Sequence, residues 1–142
     1  MEILNTLLLW LHFMAMFLGG VAAFGIPLTA SRIAGADPAA RPALGQLAQL
    51  FSKVGSAGIG LLILTGVIMI FTRIGGFEGQ SPWFYAKLVL VAVLVCVVIV
   101  SKKLAAKAMQ GDMAAAKTGE MLSKISILLL AAVVFSAVKA FG

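Results

Sequence analysis

The chain has 142 residues, 62% hydrophobic and 11% charged, with a formal net charge of +6 and a mean hydropathy of +1.11. The apolar residues come in long blocks instead of alternating with polar positions, which excludes a soluble domain. The single cysteine excludes an internal disulfide, and hydrolase motifs, metal-binding cysteine pairs and phosphate loops are all missing, which removes most soluble-enzyme classes.

The first apolar block runs from about Ile3 to Leu28. Between Glu2 and Arg32 lie 29 consecutive residues without a formal charge, more than the roughly 20 needed to cross a bilayer. His12, the only histidine in the chain, stands inside this block. A polar side chain at that depth is expensive, so it is a functional candidate by default. Three roles are open to it: cofactor ligand, proton relay or structural hydrogen-bond partner. The amino terminus reads as a retained span, since Glu2 replaces a basic stretch and the apolar run is too long for a cleaved signal. Pro27 is expected to kink or end this helix. Met14 and Met16 lie near His12 and suggest reduced copper, but residues two apart point to different sides of a helix.

Asp37 and Pro38 carry a helix-start signal ahead of the second helix, and Leu44, Leu47, Phe51 and Val54 follow at helical spacing. That helix is therefore expected to begin well before its apolar block, about Val54 to Phe71. Ser81 and Pro82 announce the third helix as N-cap and first helical residue, with Trp83, Phe84 and Tyr85 at headgroup depth. The third block, about Pro82 to Val100, contains Lys87, read either as a site residue or as a side chain snorkelling to the surface. Cys96 in the same block reads as a small buried hydrophobe. Gly111 and Asp112 mark a break before the fourth helix, whose apolar block runs from about Ser123 to Ala140. Arg73 and Lys139 stand at span ends, where they serve either as interfacial anchors or as partners for carboxylates. Small residues recur at Ser52, Ser56 and Gly60, at Ala132, Ser136 and Ala140, and at Gly19, Gly20 and Gly25. Such spacing favours close helix packing or oligomerisation, or a flat slot for a planar ligand.

Four continuous blocks predict helices and not barrel strands. The expectation is an all-α integral membrane four-helix bundle, a single four-span domain over residues 1–142. Basic residues cluster in the first loop (Arg32, Arg41, Lys53) and the third (Lys102, Lys103, Lys107, Lys117, Lys124), eight against the two at Arg73 and Lys139. The positive-inside rule then puts both termini on the non-cytoplasmic side. Attraction to anionic lipid headgroups accounts for the basic charge without any nucleic-acid partner. On this topology His12 and Lys87 both belong to the outer half of the bilayer and are expected to share one interior cleft.

Leu11 and His12, with Pro27 fifteen residues after the histidine, resemble the first helix of the HemJ-type protoporphyrinogen oxidase family. Trp83, Lys87 and Leu88 resemble that family's Trp-x-x-x-Lys-Leu opening of its third helix. The run from Leu128 to Phe141, ending Val-Lys-Ala-Phe, is similar to its last helix. The related CopD-like copper-resistance membrane domains share a Lys-Leu helix. The resemblance implies a b-type haem and oxidation of protoporphyrinogen IX to protoporphyrin IX, with His12 and Lys87 matching the family's functionally important histidine and lysine. It departs from the family at Leu28 and Ile33, where an arginine and a second histidine are expected. It departs again at Val97 and Val98, near a helix-3 histidine, and at Ser123-Lys124-Ile125-Ser126, in place of Asn-Glu-Val-Pro. The resulting expectation is an inner-membrane, multi-pass protein that binds haem b or a porphyrin. His12 is the iron ligand, Lys87 the catalytic residue as second ligand or substrate charge partner, and Arg73 and Lys139 hold propionates. The alternatives are a non-catalytic subunit of a homo-oligomer or larger membrane complex, and copper or small-solute transport.

Overall fold

The fold is known from a computed structural model, which describes residues 2–141. It is all-α, with four long helices: α1 (Glu2–Ala34), α2 (Arg41–Thr72), α3 (Pro82–Met109) and α4 (Met113–Phe141). All four are long and apolar enough to cross a membrane. The chain is a four-span, multi-pass membrane protein, in keeping with an inner-membrane location. At 1.5 Å per residue the 33 residues of α1 reach about 50 Å, beyond the ~30 Å hydrocarbon core. The charged ends of the helices therefore stand outside the lipid.

The helices form two compact units, Met1–Glu78 and Gly79–Gly142, each an antiparallel helical hairpin. In the first hairpin, α1 and α2 meet along small residues. A Cβ placed on Gly58 would lie 2.9 Å from the Gly19 nitrogen and 3.0 Å from the Ala15 carbonyl oxygen, so two backbones touch here. Gly55 faces the Ala22 methyl in the same way, and Gly25 faces the Phe51 ring. Lipid tails are as apolar as leucine, so burial alone does not hold such helices together; close van der Waals approach does. The stripe on α2 is Gly55, Gly58 and Thr65, all buried. Gly60, expected in the same role, has open space around it.

Two helix starts differ in detail from expectation. Asp37 and Pro38 form a turn, with the Ala39 and Ala40 amides donating to Asp37 Oδ1 and to its carbonyl oxygen. The helix itself begins at Arg41, with proline in its first turn. It still opens twelve residues before Lys53, ahead of the apolar block. Ser81 does precede α3, but its hydroxyl makes no cap bond and is buried without a hydrogen-bond partner.

Pro27 does not end α1, which continues to Ala34. Membrane helices tolerate proline because neighbouring groups take over the released backbone bonds. The buried Thr29 hydroxyl donates to the Gly25 carbonyl in this same stretch.

In the second hairpin the break after α3 falls where expected. Gly111 takes φ +96°, a left-handed conformation that glycine adopts without penalty. Asp112 then caps α4 by accepting from the Ala115 amide at 3.0 Å. Trp83 and Phe135 meet edge to face, centroids 6.0 Å apart, at the far end of this hairpin. Cys96 is exposed, not buried: α3 turns few side chains inward, Phe84 being its buried residue.

Candidate functional site

His12 lies ten residues beyond Glu2, or about 15 Å along α1. Its imidazole is half-buried at the seam with α2, and Nδ1 stands 2.7 Å from Thr65 Oγ1. Thr65 is only 1% exposed, and its Oγ1 also stands 2.7 Å from the Leu61 carbonyl oxygen. Bonding of a threonine hydroxyl back to the carbonyl one turn earlier is the usual way a helix satisfies that group. The ring passes over Gly66, where an added Cβ would approach His12 Cε1 to 3.5 Å. A threonine followed by a glycine thus gives α2 both the oxygen that seats the imidazole and the room for it.

Thr65 escaped the sequence reading, although a signal for it existed. Residues 12 and 65 lie equally far, to within a residue or two, from the Asp37–Pro38 turn. A hairpin closing there sets them side by side, and Thr65 is one of two polar residues, with Ser56, inside the apolar block Val54–Phe71.

Arg73 caps the carboxyl end of α2, eight residues past Thr65, or about 12 Å along the axis. The first hairpin therefore places Arg73 at the same end as His12, exposed and beyond the span. In the second hairpin Lys87 lies half-buried on α3, one turn after Trp83, and Lys139 lies exposed near the end of α4. These two lysines occupy the same end of that hairpin, beside Trp83 and Phe135. Met14 is exposed and Met16 half-buried, as expected for residues two apart on a helix.

Among the described residues, no group of three or more His, Cys, Asp or Glu side chains is placed to hold a metal ion. The chain has one histidine and one cysteine, so a bare metal ion would find few of its usual ligands here. Iron in a porphyrin makes a smaller demand. An imidazole is among the side chains that can hold haem iron, so His12 would be the residue to do so. A lone histidine with a hydrogen-bonded second nitrogen fits that role; ligating histidines almost always bond through their other ring nitrogen.

Compared with protein-family models, curated proteins and solved structures, the chain matches none.

Proposed function

We propose that this chain is a HemJ-like inner-membrane protein that binds b-type haem or a related porphyrin, with His12 as the residue that would hold its iron. The observation that supports the reading is the 2.7 Å seat between His12 Nδ1 and the buried Thr65 hydroxyl. The ring itself is half-buried at the α1–α2 seam, over Gly66. A bound haem would supply one-electron chemistry, and the activity suggested by the resemblance is oxidation of protoporphyrinogen IX.

The residues of the chain divide the remaining tasks. His12 would hold the iron, and Gly66 gives the imidazole its room beside α2. Lys87 acts as second ligand or as charge partner of an anionic substrate, while Arg73 and Lys139 offer cations to propionates at the membrane surface. The orientation that goes with this reading follows the positive-inside bias: both termini and the Arg73 loop outside, the Arg32–Arg41 and Lys107–Lys117 turns inside.

The test is the absorption spectrum of protein made with haem supplementation. A Soret band that disappears in His12→Ala supports the proposal; a colourless wild type removes it.

One observation favours a second reading, a non-catalytic subunit of a larger membrane assembly. Gly60 stands exposed on α2, outside the stripe that packs on α1, and small residues facing outward suit packing against another chain. Stoichiometric co-purification of a second membrane protein, with no pigment, would favour that reading.

A further inference from the structure

The second hairpin is longer than the part of it that crosses lipid. From Pro82 to Val100, α3 runs 19 residues, about 28 Å, which fills a ~30 Å hydrocarbon core. It then continues to Met109, and α4 starts at Met113, ten residues before its apolar block. Residues 101–124 hold five lysines and two acids, a net +3. Both acids are engaged: Asp112 accepts from the Ala115 amide, and Glu120 pairs with Lys124 at 2.9 Å. Lys103, Lys107 and Lys117 are exposed, and none of the three has an ion-pair partner among the described residues.

The packing of the hairpin sets the heights of these lysines. A Cβ placed on Gly119 would lie 3.8 Å from Leu104 Cβ, so the two residues stand side by side. Lys107, three residues after Leu104, and Lys117, two before Gly119, are therefore nearly level, about 10 Å beyond Val100. Lys103 stands about 5 Å beyond Val100, inside a headgroup layer roughly 5–8 Å thick. Flexible stems let the other two ammoniums reach down to the same layer. The lysines do not share one face. At about 100° per residue, Lys117 lies on the side of α4 opposite Gly119, away from α3, whereas Lys103 and Lys107 stack one turn apart along α3. A folded acidic protein or a nucleic acid would dock from one side; lipid headgroups surround the helices. The Arg32–Arg41 end of the first hairpin has no such collar. There Arg41 Nε donates to the Ala36 carbonyl, and Lys53 lies twelve residues from Arg41, about 18 Å along α2.

We propose that Lys103, Lys107 and Lys117 form a collar that binds anionic phospholipid headgroups around the tip of the second hairpin. The collar gathers such lipids and fixes the depth of this hairpin, whether or not haem binds at His12.

The test is native mass spectrometry of the full-length protein in mild detergent, with phosphatidylglycerol and phosphatidylcholine added in equal amounts. Wild type should retain phosphatidylglycerol in preference, and 0.5 M salt before transfer should weaken that preference. The triple change Lys103→Gln, Lys107→Gln and Lys117→Gln should retain about fivefold less phosphatidylglycerol or lower still, since each surface lysine contributes about that factor. Its phosphatidylcholine should be unchanged. The same three positions changed to arginine should keep the wild-type preference, and unchanged helicity in both triple variants sets aside misfolding. Arg32→Gln with Arg41→Gln should leave the preference in place. Equal retention of phosphatidylglycerol by wild type and the glutamine variant would overturn the proposal, as would a loss confined to the Arg32 and Arg41 variant. Displacement of the lipid by millimolar inorganic phosphate would also overturn it, by assigning the lysines to a free anion. So would retention of a short RNA by wild type with no lipid preference.

Discussion

Replacing Gly58 by alanine adds one methyl group where two backbones meet. The new Cβ would sit 2.9 Å from the Gly19 nitrogen and 3.0 Å from the Ala15 carbonyl oxygen, and neither atom can swing aside as a flexible side chain does. Relief requires α1 and α2 to separate, and overpacking of this kind costs about 1–3 kcal/mol. Alanine also favours a helix over glycine by roughly 0.5–1 kcal/mol, which partly hides the clash. Gly60→Ala on the same helix has that propensity gain and nothing within 4 Å to meet. The difference between the two variants therefore isolates the clash, leaving Gly58→Ala less stable than Gly60→Ala by about 1–3 kcal/mol. Unfolding in mixed dodecyl sulfate micelles, followed by far-UV circular dichroism, measures the gap. Thr65 lies seven residues from Gly58, about 10 Å along α2, so the same separation should loosen the His12 seat and weaken haem uptake. Equal stability of the two variants would refute the close backbone contact.

Further substitutions probe separate parts of the structure. Gly55→Ala should be destabilising because its Cβ falls on the Ala22 methyl, and the added change Ala22→Gly should recover most of the loss in the same unfolding assay. Asp112→Ala removes the α4 cap and should cost about 1 kcal/mol, seen as faster amide exchange in the first turn of α4. Glu120→Ala breaks the exposed pair with Lys124, 2.9 Å apart, and should shift the unfolding midpoint little, since an exposed i, i+4 pair contributes only about 0.3–0.5 kcal/mol. Orientation can be tested in a Cys96→Ser background. A cysteine at Phe77 should react with an impermeant maleimide from outside intact cells, and one at Gly111 should react only after permeabilisation. The opposite pattern would invert the topology.

The helices were legible because their signals are local. Uncharged blocks mark the spans, and Pro82, Gly111 and Asp112 mark ends through fixed backbone angles or a single side-chain bond. Where two local signals competed, the sequence was less decisive: Asp37–Pro38 and Arg41–Pro42 both resemble helix starts, and the Asp37 turn bonds went to the loop. Pro27 does not end α1, because its cost depends on neighbouring groups in a membrane and not on its own chain segment alone. The small-residue stripe was recognised as a type but assigned to the face with Gly60. A 100° turn per residue moves a face quickly, and only the α1 register selects Gly55 and Gly58. His12 stood out as the only histidine, whereas Thr65 needed the hairpin register, 53 residues away in sequence.

The imidazole's role as an iron ligand is tested most directly by titrating haem into purified protein in micelles, with His12→Gly alongside wild type and free imidazole added to the variant. Wild type should develop a saturable Soret band. His12→Gly should stay at the background of empty micelles until imidazole fills the vacated place and restores the band. Superimposable titrations of wild type and variant without imidazole would contradict the assignment of His12.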